Sequence, residues 1–304
     1  MTTQPSRILA LLELADEAPT TDELAEFLTD DDPNVRRTAL SVLSEAAEDW
    51  AQPSSVIATA LIDPDESVRR TAIDLLRELR EVLLPGEEFA GALRDAVRHS
   101  DEVVRAAALG ALWRHRLCTV DELTALLLDT GESVRCEVVL GLVSVDALDA
   151  LGDAAKDAAS AVRMEVARGL AVVADPRGVT TLIALAEDTE VLVRAAALRA
   201  MAHTGCTGEA SSLACAALTD PAWQIRQAAA TALATADPAK AISPLVNASR
   251  DANLDVRKAA VRALAAWAPG RPEIRAALEA ARIDADADVR AFARIGLAAT
   301  GHDS

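Results

Sequence analysis

Apolar and small residues recur along this chain at helical spacing. If the Val of a recurring Val-Arg pair is position 0, they return at +4, +7 and +8. Examples are Val68, Ala72, Leu75 and Leu76, and Val193, Ala197, Ala200 and Met201. These positions share one face of a helix with ~3.6 residues per turn. A second amphipathic stretch precedes each such segment, for example Thr21 to Leu28, Thr180 to Ala186 and Ala239 to Ala248. The repeating element is thus a helix A, a short acidic turn and a helix B.

The anchor pairs are Val35-Arg36, Val68-Arg69, Val104-Arg105, Val134-Arg135, Val162-Arg163, Val193-Arg194, Ile225-Arg226, Val256-Arg257 and Val289-Arg290, spaced by 28 to 36 residues. Six residues before each Arg stands an acid: Asp30, Asp63, Asp129, Asp157, Asp188, Asp220, Asp251 and Asp284. His99 is the exception, with Asp101 just behind it. Asp32-Pro33, Asp63-Pro64 and Asp220-Pro221 pair a capping acid with a proline suited to the first helical turn. Asp-Pro-Arg-Gly at 175–178 and Ala-Pro-Gly at 268–270 punctuate junctions between units.

Composition narrows the picture. Hydrophobic residues make up 51% of 304, but aromatics only 2%, so the apolar mass is Ala, Leu and Val, which suits closely packed helices. No apolar run approaches the ~20 residues of a membrane span. Residues 1–18 carry Arg7, Glu13, Asp16 and Glu17 and read as a soluble helix rather than a secretion signal, so the cytoplasm is the expected location. Cys118, Cys136, Cys206 and Cys215 form no CxxC and fit no zinc motif; they are expected to be buried or half-buried thiols, with no metal site.

With its Asp-(x)5-Arg motif, Val before the Arg and mostly Ala three residues after it, the chain resembles the HEAT-repeat family, and within it the short bacterial HEAT-like repeats of phycobilisome-lyase type. The resemblance spans roughly residues 20–300. It implies an all-α, right-handed α-α superhelix of about nine helical hairpins. The expected organisation is one solenoid over 1–304, with a capping helix at 1–19, nine repeats over 20–300 and a tail at 301–304. It also implies that the Asp and Arg form a ladder between successive turns. A net charge of −18 then belongs largely to the turn edge, where acids sit at helix N-termini.

The resemblance further implies that B helices line the concave side. At ~100° per residue, positions +2, +6 and +9 point away from the core. They hold seven basic residues and one acid, Asp74, so the groove is expected to be far less acidic than the whole chain. The middle units place Trp113, Cys136, Leu140, Val143 and Met164 there, expected to be exposed, beside Arg168 and Arg199. Three readings stand side by side: mutual packing of these residues, a rotated helix in an irregular repeat, or a partner-binding patch. Glu137 and Glu165 occupy +3 in adjacent units and read as structural ion-pair partners; Arg168 lies three residues after Glu165.

No phosphate loop, nucleophile elbow or zinc motif is found, and no His is followed by Glu. The reading is a non-catalytic scaffold without cofactor that holds another protein, most simply an amphipathic acidic helix, in its groove. The alternative is lyase-like or chaperone-like handling of an acidic apolar cofactor. DNA glycosylase-like binding ranks below both, because an isoelectric point near 4.6 disfavours nucleic acid; a membrane partner is not expected.

Overall fold

The computed structural model describes residues 4–268 and 271–299. Pro269, Gly270 and the expected tail at 301–304 lie outside the described residues. Two units follow one another, residues 1–144 and 145–304.

The first unit contains α1 (Gln4–Ala15), α2 (Thr21–Leu28), α3 (Pro33–Ala46), α4 (Ala51–Thr59), α5 (Glu66–Glu78), α6 (Glu87–Ala96), α7 (Glu102–Arg114), α8 (Val120–Ala125) and α9 (Glu132–Ser144). The second contains α10 (Leu148–Ala154), α11 (Ser160–Val173), α12 (Val179–Leu185), α13 (Val191–Thr204), α14 (Gly208–Ala217), α15 (Trp223–Leu233), α16 (Pro238–Ala248), α17 (Leu254–Ala266), α18 (Pro272–Ala281) and α19 (Ala287–Ala299). Each unit is a stack of helical hairpins, the α-solenoid arrangement that the repeat predicts. Successive B helices pack on one another, as α5 does on α7 and α13 on α15, and each also packs on its own A helix.

The periodicity holds in detail. All nine anchors, from Val35 to Val289, are buried. Of the twenty-seven +2, +6 and +9 positions, only Ala195 and Gly110 are buried, so the register assigns faces correctly almost throughout. Small Ala at many core positions lets neighbouring helices approach closely.

The turns are more elaborate than caps. In each unit the Asp six before the anchor Arg accepts the backbone N–H two residues on, as Asp63 does from Asp65 at 2.8 Å and Asp251 from Asn253 at 2.7 Å. The anchor Arg donates through Nη1 to the carbonyl of that same Asp, as Arg226 does to Asp220 at 2.8 Å and Arg257 to Asp251 at 3.0 Å. Its Nε and Nη2 then fork onto the Asp of the next turn. Arg36 grips Asp63 at 2.8 and 2.7 Å, and Arg105 grips Asp129 at 2.9 and 2.7 Å. The second unit repeats this with Arg163–Asp188, Arg226–Asp251 and Arg257–Asp284. Asp63, gripped by Arg36, and Asp220, which bonds within its own turn, are therefore not helix caps: α5 starts after Asp65 and α15 after Ala222, which leaves Pro64 and Pro221 in the turns. Asp32-Pro33 does cap α3 as expected.

Two rungs depart from the ladder. Among the described residues Arg194 donates only to the carbonyls of Asp188 and Thr189 and makes no ion pair. Arg69 faces the turn that carries His99. His99 accepts the Asp101 N–H through Nδ1 at 3.0 Å and so replaces the Asp within its own turn, but it offers no carboxylate to Arg69. The Nε of Arg69 is left buried without a hydrogen-bond partner, and Asp101 is 4.0 Å from its Nη2.

These differences rank two variants. Arg226→Ala is expected to lose about 2–3 kcal/mol, and Arg194→Ala about 1 kcal/mol, by urea unfolding at neutral pH. Equal losses would show that the carboxylate half of the rung adds nothing. The Arg226 guanidinium holds Asp251 below its ordinary 3.8. The rung's contribution is thus fully present above pH 3.8 and is lost as pH falls through the depressed folded value. The deficit of Arg226→Ala should shrink below that pH.

Candidate functional site

The expected site residues fall in both units. Trp113, Cys136, Leu140 and Val143 lie in the first; Met164, Arg168 and Arg199 lie in the second.

In the first unit the expectation of exposure needs correction: Trp113, Cys136, Leu140 and Val143 are all half-buried. Trp113, in the last turn of α7, donates its indole N–H to Glu137 Oε2 on α9 at 2.8 Å. The Arg114 guanidinium lies over the Trp113 ring, 4.4 Å from its centroid, and reaches the same Glu137 oxygen at 3.5 Å. Glu137 is therefore a structural partner, as its flank position suggested. A Cβ at Gly141 would stand 2.8 Å from Leu123 Cδ2 and 3.2 Å from Trp113 Cβ, so Leu123 and the first side-chain carbon of Trp113 close over the space that Gly141 leaves.

In the second unit Met164 is half-buried, while Arg168 and Arg199 are exposed. These three line one cleft of about 350 Å³ on α11 and α13, together with Leu192 and His203. Arg168 pairs loosely with Glu165 at 3.5 Å, again as the +3 position suggested. Among the described residues Arg199 has only the amide oxygen of Gln227, at 3.1 and 3.2 Å. Burial, and then the neighbouring Arg168, lower the pKa of Arg199. Two guanidinium groups on successive B helices thus line one cleft, and among the described residues no carboxylate pairs with the second.

A wider cleft of about 950 Å³ adjoins the first and shares Arg199 and His203 with it. It runs over α15, α17 and α19 past Trp223, Arg262 and Phe292. Trp223 is 38% exposed and Arg262 is exposed without a partner among the described residues. Lys258 in the same cleft is held by Asp288 at 3.0 Å and Asp286 at 3.6 Å. Sequence reasoning passed over Trp223, although its position at −2 lies at ~160° around the helix, beside +9 at ~180°. Phe292, at +3, sits on the edge of the groove, where the pattern gives no signal.

The cysteines are buried or half-buried thiols. Burial raises the Cys206 thiol to about 11, which makes it unreactive at neutral pH.

Because Trp113 is packed and hydrogen-bonded, Trp113→Ala is expected to lose about 2 kcal/mol in chemical denaturation. A change within about 0.5 kcal/mol would mean that the indole is a free surface group.

Similarity to known proteins agrees with this geometry. The family profile described as HEAT repeats matches residues 21–113, 120–202, 148–219 and 210–298. No curated protein matches the chain. Among solved structures, an engineered protein aligns at 21% identity and TM-score 0.57 over 99% of this chain and 96% of its own. Kap95p, solved with RanGDP, aligns at 14% identity and TM-score 0.63 over 99% of this chain; this chain spans half of its length. At such identities the likeness concerns the fold, whereas the repeat profile covers most of the sequence: the chain belongs to the HEAT-repeat family.

Proposed function

We propose that this protein is a non-catalytic scaffold whose B-helix face in the second unit holds an acidic, amphipathic segment of another protein. One observation carries this reading. Arg168, Arg199 and Arg262 line adjoining clefts beside apolar Met164, Leu192, Trp223 and Phe292, and Arg199 and Arg262 lack carboxylate partners among the described residues. A cationic groove with apolar anchors suits a partner that carries acid on one face and hydrophobic side chains on another. A fold shared with Kap95p, which binds RanGDP, agrees with a protein partner. The acids of the ladder do not oppose it, because they are tied to the turns. No described helix is long and apolar enough to cross a membrane, so a membrane is not part of this reading.

The test is affinity capture with quantitative mass spectrometry from the native host, using the wild type and the double variant Arg168→Glu/Arg199→Glu. Both are first matched for melting temperature. Wild-type protein is expected to retain a partner containing an acidic amphipathic segment, and the double variant to retain about tenfold less or lower. Equal retention by a folded double variant would contradict the assignment.

A further inference from the structure

The first unit contains a second cationic cleft that the scaffold reading does not use. It lies between α5 and α7, with α9 at its edge, and encloses about 340 Å³. That is within the lower range of small-molecule pockets, roughly 300–1,000 Å³. Arg77 from the last turn of α5, Arg80 just beyond it, and Arg114 and His115 from the end of α7 all line it. Such convergence is unexpected in a chain of net charge −18.

The charges in the cleft are not balanced. Arg77 has no hydrogen-bond or ion-pair partner among the described residues. Arg80 pairs, among the described residues, only with exposed Glu81, at 3.1 Å. Arg114 shares one oxygen of Glu137 with the Trp113 indole. A single carboxylate on the wall therefore stands against three guanidinium groups. Helix C-termini favour Arg77 and Arg114 one at a time, but that does not explain their meeting in one cleft.

A glycine makes the arrangement possible. A Cβ at Gly110 would collide with Arg114 Nη1 and stand 3.1 Å from Glu137 Oε2. The +6 position, a larger side chain in every other unit, is empty here, and the guanidinium of Arg114 fills the space. Leu76, Val103 and Ala107 supply an apolar wall, and Val103 is 51% exposed.

We propose that this cleft binds a small phosphate monoester: its dianion held by Arg77, Arg80 and Arg114, its apolar body against Leu76 and Val103. Guanidinium forks match phosphate oxygens two at a time, and a dianion offsets the excess positive charge better than a monoanion does. His115 reports on occupancy. Its pKa is lowered first by burial and then by Arg114, with Glu81 opposing, and its ring meets Phe89 edge-on at 5.4 Å. A bound dianion offsets the positive charge of Arg114 and so favours the protonated imidazole.

The probe is phenyl phosphate, titrated into the full chain by calorimetry and by NMR of the assigned His115 ring. Saturable one-to-one binding is expected, with the His115 pKa moving upward on saturation. Arg77→Ala, an exposed change that spares the fold, should weaken binding about tenfold or more. Gly110→Ala should weaken it as well, by displacing Arg114. Arg262→Ala, in the second unit, should leave it unchanged, and the monoanion benzenesulfonate should bind more weakly. Absence of saturable binding, or Arg77→Ala binding as well as the wild type, overturns the proposal. So does binding of a single-stranded oligonucleotide without binding of phenyl phosphate, which would make the cleft a phosphodiester surface.

Discussion

The structure rests on the relay of Asp and Arg along its turns. One carboxylate accepts a backbone N–H within its own turn and a guanidinium fork from the turn before. The guanidinium in turn binds the carbonyls of its own turn. Helix ends leave N–H and C=O groups without intrahelical partners, and a stack of short helices has many such ends. The relay satisfies them and sets the spacing between hairpins at the same time. Each rung is half-buried, with side chains such as Arg36 and Asp63 both 12% exposed. Its hydrogen bonds are therefore stronger than those of a surface pair.

Where the motif fails, other residues take over parts of its work. Gly131 stands where Asp32, Asp65, Asp101 and Asn253 cap their helices, and Glu102 reaches across from the preceding B helix to accept both the N–H and the hydroxyl of Ser133 at 2.8 and 2.6 Å. Those bonds hold the Glu102 carboxyl below its usual range. The glutamate lies directly over Gly131, where a Cβ would stand 2.6 Å from its carboxyl carbon. This division of labour also explains the charge distribution. Acids are consumed at the turns, while the B-helix faces are left with guanidinium groups that have few or no partners.

Much of this was legible in the sequence because it repeats. A residue that returns at a fixed offset from Val-Arg reveals its face, and so the anchors and the outward rows could be read without coordinates, while the Asp–Arg ladder between turns followed from the resemblance to HEAT repeats. The irregular features were not legible. Arg194 carries the motif but lacks the ion pair, since the pattern does not encode whether two side chains meet. Trp113 occupies an outward position, yet its indole is hydrogen-bonded to Glu137. The cleft at Arg77 and Arg114 depends on Arg80 and His115 beyond the helix ends and on the missing side chain at Gly110, none of which follows from periodicity.

The rung at Arg69 gives the most direct test, because it is broken by a single residue. In His99→Asp the new carboxylate would keep the bond to the Asp101 N–H and supply the partner that the buried Nε of Arg69 lacks. If the relay is what holds successive hairpins together, urea unfolding at neutral pH should show a gain of about 1 kcal/mol over the wild type. A variant no more stable than the wild type, or less stable, would contradict that account.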